Sequence, residues 1–291
     1  MKDRVITHAC IAAAAFIAAA AIIAAVLAYN VLSTDTTGIY GGESYERSVI
    51  FESEEQFDKF ISDNRIAPAS NRQAQDGFVA GIAKTVWVDE RYMLTRGAFE
   101  SRIVSQSEAE ARGDELLSLT IAVMIAYDEG RNAYEIEAYA SWGGNEATEP
   151  TLIHGTRRGL DFLGATWGGD MDGGLDFAVQ DGKYSGAYAD GEMFEAATCN
   201  ADSGLGYVWM LEECSESGFV TQSCLTIDLK TVRAEHADAT DFSLIYAHSY
   251  SDTMGAPELQ RRGEHSPTLS TNAIGADFWQ IEINIENCLE F

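Results

Sequence analysis

Basic side chains are scarce in this chain: 19 Lys and Arg stand against 46 Asp and Glu in 291 residues, for a formal net charge of −27. A surface this acidic cannot release counterions from a phosphate backbone, which excludes nucleic acid as the main partner. Lys is the rarer cation, five against fourteen Arg, a bias that fits a salt-adapted or high-GC source. Catalytic and metal signatures are missing too. There is no CxxC, and Cys199, Cys214, Cys224 and Cys288 lie at separations that match no zinc site. There is no HExxH, so Glu235-His236 and Glu264-His265 do not form a zinc helix, and His154, His236, His248 and His265 stand as isolated histidines. There is no GxSxG, and Asp202-Ser203-Gly204 lacks the flanking glycines of a serine nucleophile loop. No strand-helix-strand alternation appears, which argues against a parallel sheet with a nucleotide crevice.

What is present begins with an apolar N-terminus. Lys2 and Arg4 precede Ala9–Tyr29, which carries no charge and is about long enough for a helix to cross a bilayer. Ala contributes little to insertion, so Ile11, Phe16, Ile17, Ile22, Ile23, Val26 and Leu27 must supply the driving force. The basic residues are expected to stay in the cytoplasm, placing everything after about residue 33 outside. Val26-Leu27-Ala28 also forms a small-x-small cleavage pattern, so secretion after cleavage near Ala28 is the alternative to a single-pass anchor in the cell membrane. A buried Ala-rich helix is the third reading. Beyond residue 28 the chain holds 17 basic and 45 acidic side chains, a surface that repels anionic headgroups and acidic polymers.

An even number of cysteines in an exported domain suggests two disulfides among Cys199, Cys214, Cys224 and Cys288. Three pairings are open; Cys199 to Cys214 with Cys224 to Cys288 is the favoured one, and four buried thiols are the alternative.

Composition divides the chain into an N-terminal segment (1–32), a Ser, Thr and Gly-rich flexible stalk (33–52) and an exported domain (53–291). Ser53 to Gln56 makes a capping box, and Phe57, Phe60 and Ile61 share one face, which predicts a short helix over 53–64. Ser105 to Leu117 is a second helical candidate, interrupted by Gly113. From about residue 78 the pattern turns alternating. Leu116–Tyr127 and Tyr134–Trp142 predict a hairpin around Asp128-Glu129-Gly130-Arg131. Strands are further expected at 160–167, 174–179, 183–189, 192–198, 205–212, 219–230, 241–250 and 276–286, with hairpin turns at Asp181-Gly182 and Asp190-Gly191. The fold class that follows is all-β: an antiparallel β-sandwich, jelly-roll or Ig-like, with one N-terminal transmembrane or signal helix and a short helix before the sandwich.

Ser141-Trp142-Gly143-Gly144-Asn145 repeats as Thr166-Trp167-Gly168-Gly169-Asp170. If the two strands are neighbours, their loops share one end of the sandwich. Trp142, Asn145, Trp167 and Asp170 are then candidate ligand-binding residues, the indoles offering a stacking platform for a glycan. Repeated strand-to-turn chemistry explains the same pattern without a ligand. Asp170, Asp172, Asp176 and Asp181 form an oxygen-rich stretch suited to calcium, although Leu175 and Asp181 stand where an EF-hand loop needs Gly and Glu. A solvated turn is the simpler reading, and no other cofactor is expected.

The Tyr134–Trp142 strand with Arg157, Arg158, Asp161 and Gly164 resembles a pattern in uncharacterised exported bacterial β-rich proteins. That family has no assigned activity, so the resemblance implies only an exported β-domain. Two functional classes remain: a cell-surface sandwich with a binding or structural role toward a glycan or protein, and an exported hydrolase acting on a glycan through unidentified carboxylates.

Overall fold

The computed structural model describes residues 46–67, 77–93, 98–143, 160–167, 177–188, 193–195, 206–212, 214–215, 218–231, 240–249, 257–262, 266–271 and 278–289. The apolar run 9–32 lies outside them, and no helix among the described residues is long and apolar enough to cross a membrane. The chain begins with strand β1 (Glu46–Phe51), helix α1 (Glu54–Asp63), long strand β2 (Phe78–Met93), β3 (Ala98–Ile103) and helix α2 (Gln106–Arg112). The hairpin β4 (Leu117–Asp128) and β5 (Ala133–Gly143) follows, then β6 (Leu160–Trp167), β7 (Phe177–Tyr188) and β8 (Met193–Glu195). The last third holds β9 (Gly206–Glu212), β10 (Cys214–Ser215), β11 (Gly218–Thr231), β12 (Thr240–Ser249), β13 (Pro257–Arg262), β14 (Ser266–Thr271) and β15 (Phe278–Leu289).

These strands form a nine-stranded sheet, ordered β1-β2-β4-β5-β11-β7-β8 with β3 on β2 and β10 on β11, and a four-stranded sheet ordered β15-β12-β6-β9. β13 and β14 pair with each other as a separate hairpin. Pairing is antiparallel throughout. The two sheets pack face to face, which is the sandwich that the alternation predicts. One apolar core lies between them. Val86, Leu119, Ile121, Val123, Ile136, Leu225 and Ile227 come from the large sheet, and Leu163, Ala165, Phe242, Leu244, Ile281 and Ile283 from the small one. Period-two alternation sends every second residue of these strands inward.

The outer face of the large sheet carries a second apolar layer. Ser53 caps α1 by accepting from the Gln56 amide at 3.3 Å, and the helix buries Phe57 and Ile61 against Phe51, Met124, Tyr139 and Cys224. Gln222 on β11 fastens the segment that follows, accepting from Ala67 N at 2.8 Å and donating to Arg65 O at 2.9 Å. Helix α2 also matches its capping box: Ser105 and Glu108 bond reciprocally, and Gly113 ends it at φ 44°, a conformation that favours glycine.

Three expectations need correction. Glu46–Phe51, which composition places in the stalk, is a strand paired with Phe51 opposite Gly81 through Glu46 opposite Val86; its Ser and Glu content masks an edge strand that buries only Phe51. Asp181-Gly182 is not a hairpin turn. β7 runs straight through it, Asp181 opposite Asp228 and Val179 opposite Leu229, so the extra residue Gln180 makes a bulge in a continuous strand. Finally, Cys224 and Cys288 are buried and belong to no disulfide. Cys224 lies in the layer under α1 and Cys288 in the core between the sheets, so the large sheet separates them and no disulfide joins them. Cys199 lies outside the described residues, and the side chain of Cys214 is not among those described.

Candidate functional site

The inner rows of three strands are apolar except at one end, where each carries an ionisable residue. β2 presents Val86, Val88 and Glu90; β6 presents Asp161, Leu163, Ala165 and Trp167; β12 presents Phe242, Leu244, Tyr246 and His248. Glu90, Asp161 and His248 therefore meet inside one end of the sandwich, with side chains exposed by only 5%, 3% and 2%.

His248 is held at both ring nitrogens. Nδ1 lies 2.8 Å from Asp161 Oδ1, and Nε2 lies 3.2 Å from Glu90 Oε1. The second Asp161 oxygen accepts from the Tyr246 hydroxyl, which in turn accepts from the Trp142 indole at 3.0 Å. Aromatic rings enclose the imidazole: Trp279 at 4.9 Å and Trp142 at 5.4 Å between centroids. The Trp279 indole donates to Ser101 Oγ at 2.8 Å. Glu90, Trp142 and Ser101 belong to the large sheet, whereas Asp161, Tyr246, His248 and Trp279 belong to the small one. The network is thus a polar tie between the sheets, built where an unpaired charge would be very costly.

Its carboxylates approach opposite edges of one imidazole instead of converging on a common point. Among the described residues no group of three or more His, Cys, Asp or Glu side chains is arranged to hold a metal ion. Chemically, the arrangement joins an imidazole, two carboxylates and a phenol through hydrogen bonds.

Two further charged clusters flank it. Lys84 ion-pairs with Glu46 at 3.0 Å and donates to the Glu282 main-chain carbonyl, so it also links the sheets. Burial pushes the Glu282 carboxyl up. On the outer face, buried Asp89 receives Arg112 at 2.8 Å and Arg102 at 3.3 Å, and Arg102 forks onto Glu108 at 2.6 and 2.8 Å. The Arg102 hydrogen bond holds the Glu108 carboxyl down at about 2. These contacts pin α2 beside Trp87 and Val104.

The sequence candidates scatter. Trp167 is buried in the core, and Trp142 is half-buried against His248 and Trp279. β5 and β6 are in different sheets, and Trp167 pairs with Phe242 whereas Trp142 packs on Tyr246 and His248. Phe242 lies four residues from Tyr246 and six from His248, about 13–20 Å along the strand, so Trp142 and Trp167 stand toward opposite ends of the sandwich. Asn145, Asp170, Asp172 and Asp176 lie outside the described residues, and of Asp181 only the backbone is described. No sequence motif joins Glu90, Asp161, Tyr246 and His248: His248 stands alone along the chain, Asp161 enters only through the resemblance, and Glu90 and Tyr246 carry no signal of their own. What they share is a place at the polar end of an apolar alternating row, legible only once the inward face of each strand is known.

No family model and no curated protein matches the chain. Among solved structures, a collagen adhesin from S. aureus is similar at a TM-score of 0.25 and 6% identity, over 75% of this chain and 93% of that one. A pore-forming protein is similar at a TM-score of 0.23 and 6% identity, over 84% and 91%. Similarities this slight carry no argument about ligand or activity.

Proposed function

We propose that the chain is an exported or membrane-anchored β-sandwich protein with a binding or structural role at the cell surface. Residues 9–32 would hold the bilayer, and the segment before β1 would act as the stalk. The observation that supports a non-catalytic role is the burial of His248 between Glu90 and Asp161 inside the sandwich. Both ring nitrogens of His248 and both oxygens of Asp161 are engaged inside the sandwich, whereas a catalytic acid or base must reach the proton that it moves. A glycan or protein ligand would then be met at the ends of the sandwich, and Asn145, Asp170 and the 170–181 stretch, with calcium as a further ligand, remain the sequence's candidates for that contact.

Fractionation of cells expressing the chain tests the location. The anchored form stays with membranes after a high-salt wash and keeps its N-terminus; a chain beginning at Tyr29 shows the secreted form instead, and recovery in the cytosol overturns the reading. A panel of glycans and glycan substrates tests the role. Binding without turnover supports it, and hydrolysis of any substrate replaces it with the hydrolase reading.

A further inference from the structure

A proton count around His248 leads beyond that reading. Each ring nitrogen faces a carboxylate oxygen, Asp161 at 2.8 Å and Glu90 at 3.2 Å, and a hydrogen bond on each side requires a proton on each. A neutral imidazole carries only one. The second proton must reside on His248 or on one of the two carboxyl groups.

The surroundings favour the ring. Trp142 and Trp279 place their indoles 5.4 and 4.9 Å from it, within the range at which an aromatic ring stabilises a cation. Asp161 is already committed as an acceptor, taking the Tyr246 hydroxyl at one oxygen and the His248 Nδ1 proton at the other. The titratable groups facing His248 among the described residues are Glu90 from β2, Asp161 from β6 and Tyr246 on its own strand. β5, β15 and β3 contribute Trp142, Trp279 and Ser101. Arg102 and Arg112 bind Asp89, which alternation turns to the opposite face of β2 from Glu90.

We infer that His248 is a buried imidazolium, locked between Glu90 and Asp161, and that it makes the closure of this end of the sandwich sensitive to pH. The unfolded chain releases that proton above about pH 6.5. The folded chain therefore binds more protons than the unfolded chain at neutral and mildly alkaline pH, so stability falls as pH rises through that interval. Below about pH 6.5 the contribution is fully present. The device sits beneath the strand ends that lead into connections 94–97, 144–159, 250–256 and 272–277, so alkalinity loosens the sheets where those connections depart.

Hydrogen exchange at the imidazole C2 position, read by mass spectrometry on the purified full chain, measures His248 directly without any substitution. The expected result is a titration midpoint at least about one pH unit above that of the denatured chain, equivalent to a tenfold preference for the protonated ring. Urea unfolding between pH 7 and 9 should show the wild-type midpoint falling, and Glu90→Gln, which keeps an acceptor but removes the charge, should lower the His248 titration midpoint. A His248 midpoint at or below about 6.5 overturns the inference. If stability still falls with pH in that case, the proton belongs to one of the two carboxyl groups. An elevated midpoint combined with pH-independent stability overturns the latch.

Discussion

The Trp142 indole nitrogen lies 3.0 Å from the Tyr246 hydroxyl, and this bond crosses the sandwich from β5 to β12. The same hydroxyl donates to Asp161, so one oxygen joins an indole in one sheet to a carboxylate in the other. Tyr246→Phe would take the hydroxyl from the half-buried Trp142 indole N–H and from one buried Asp161 oxygen. The expected loss is about 2–4 kcal/mol, measured by urea unfolding. A loss below about 0.5 kcal/mol would show that solvent reaches the network.

Lys84 and Glu46 form the second polar tie, with side chains only 6% and 13% exposed. Removing one member of a buried pair strands the other, so Lys84→Met should cost about 3–5 kcal/mol, whereas Lys84→Met with Glu46→Gln should recover part of that loss. A double-mutant cycle at pH 7 checks the coupling. Additive losses would mean that the pair is not coupled in solution.

The thiols of Cys224 and Cys288 should be blocked in the native protein and free in the unfolded one. Burial pushes the Cys288 thiol up to about 12, leaving a negligible thiolate fraction at pH 8. Alkylation in denaturant without reductant should modify both residues, and alkylation under native conditions should modify neither. A Cys224 to Cys288 linked peptide would contradict the two-layer arrangement.

Glu108 is more than a third exposed, yet Arg102 holds its carboxyl at about 2. A depressed folded value contributes stability above the ordinary carboxylate range near 4.3 and loses it as pH falls toward 2. Solvent screens the pair, so Glu108→Gln should cost about 0.5–1 kcal/mol at pH 7, including its share of the capping box. The gap between variant and wild type should close between pH 4 and 2. A gap that persists at pH 2 would assign the loss to the cap alone.

Local signals were legible without coordinates because their causes are local. Ser53 and Ser105 start helices through bonds to amides three residues on, and Tyr134–Trp142 announces its buried face by alternation. These features determined an all-β sandwich carrying two short helices. Strand continuity was harder to read. Asp181-Gly182 has the composition of a turn, but β11 runs alongside it and supplies partners on both sides, so pairing overrode turn chemistry. Edge strand β1 hid for the opposite reason, since a strand paired on one side needs little apolar sequence.

What only the tertiary structure decided is which faces meet. Two copies of Trp-Gly-Gly read alike along the chain, but β5 and β6 lie in different sheets and carry their tryptophans toward opposite ends. Cys224 and Cys288 looked like a pair until the large sheet came between them. Glu90, Asp161 and His248 lie up to 158 residues apart and carry no shared spacing, because a contact between two sheets is set by strand order and register. Alternation tells a strand which residues face inward; only the packing of one sheet on the other tells them what they will face.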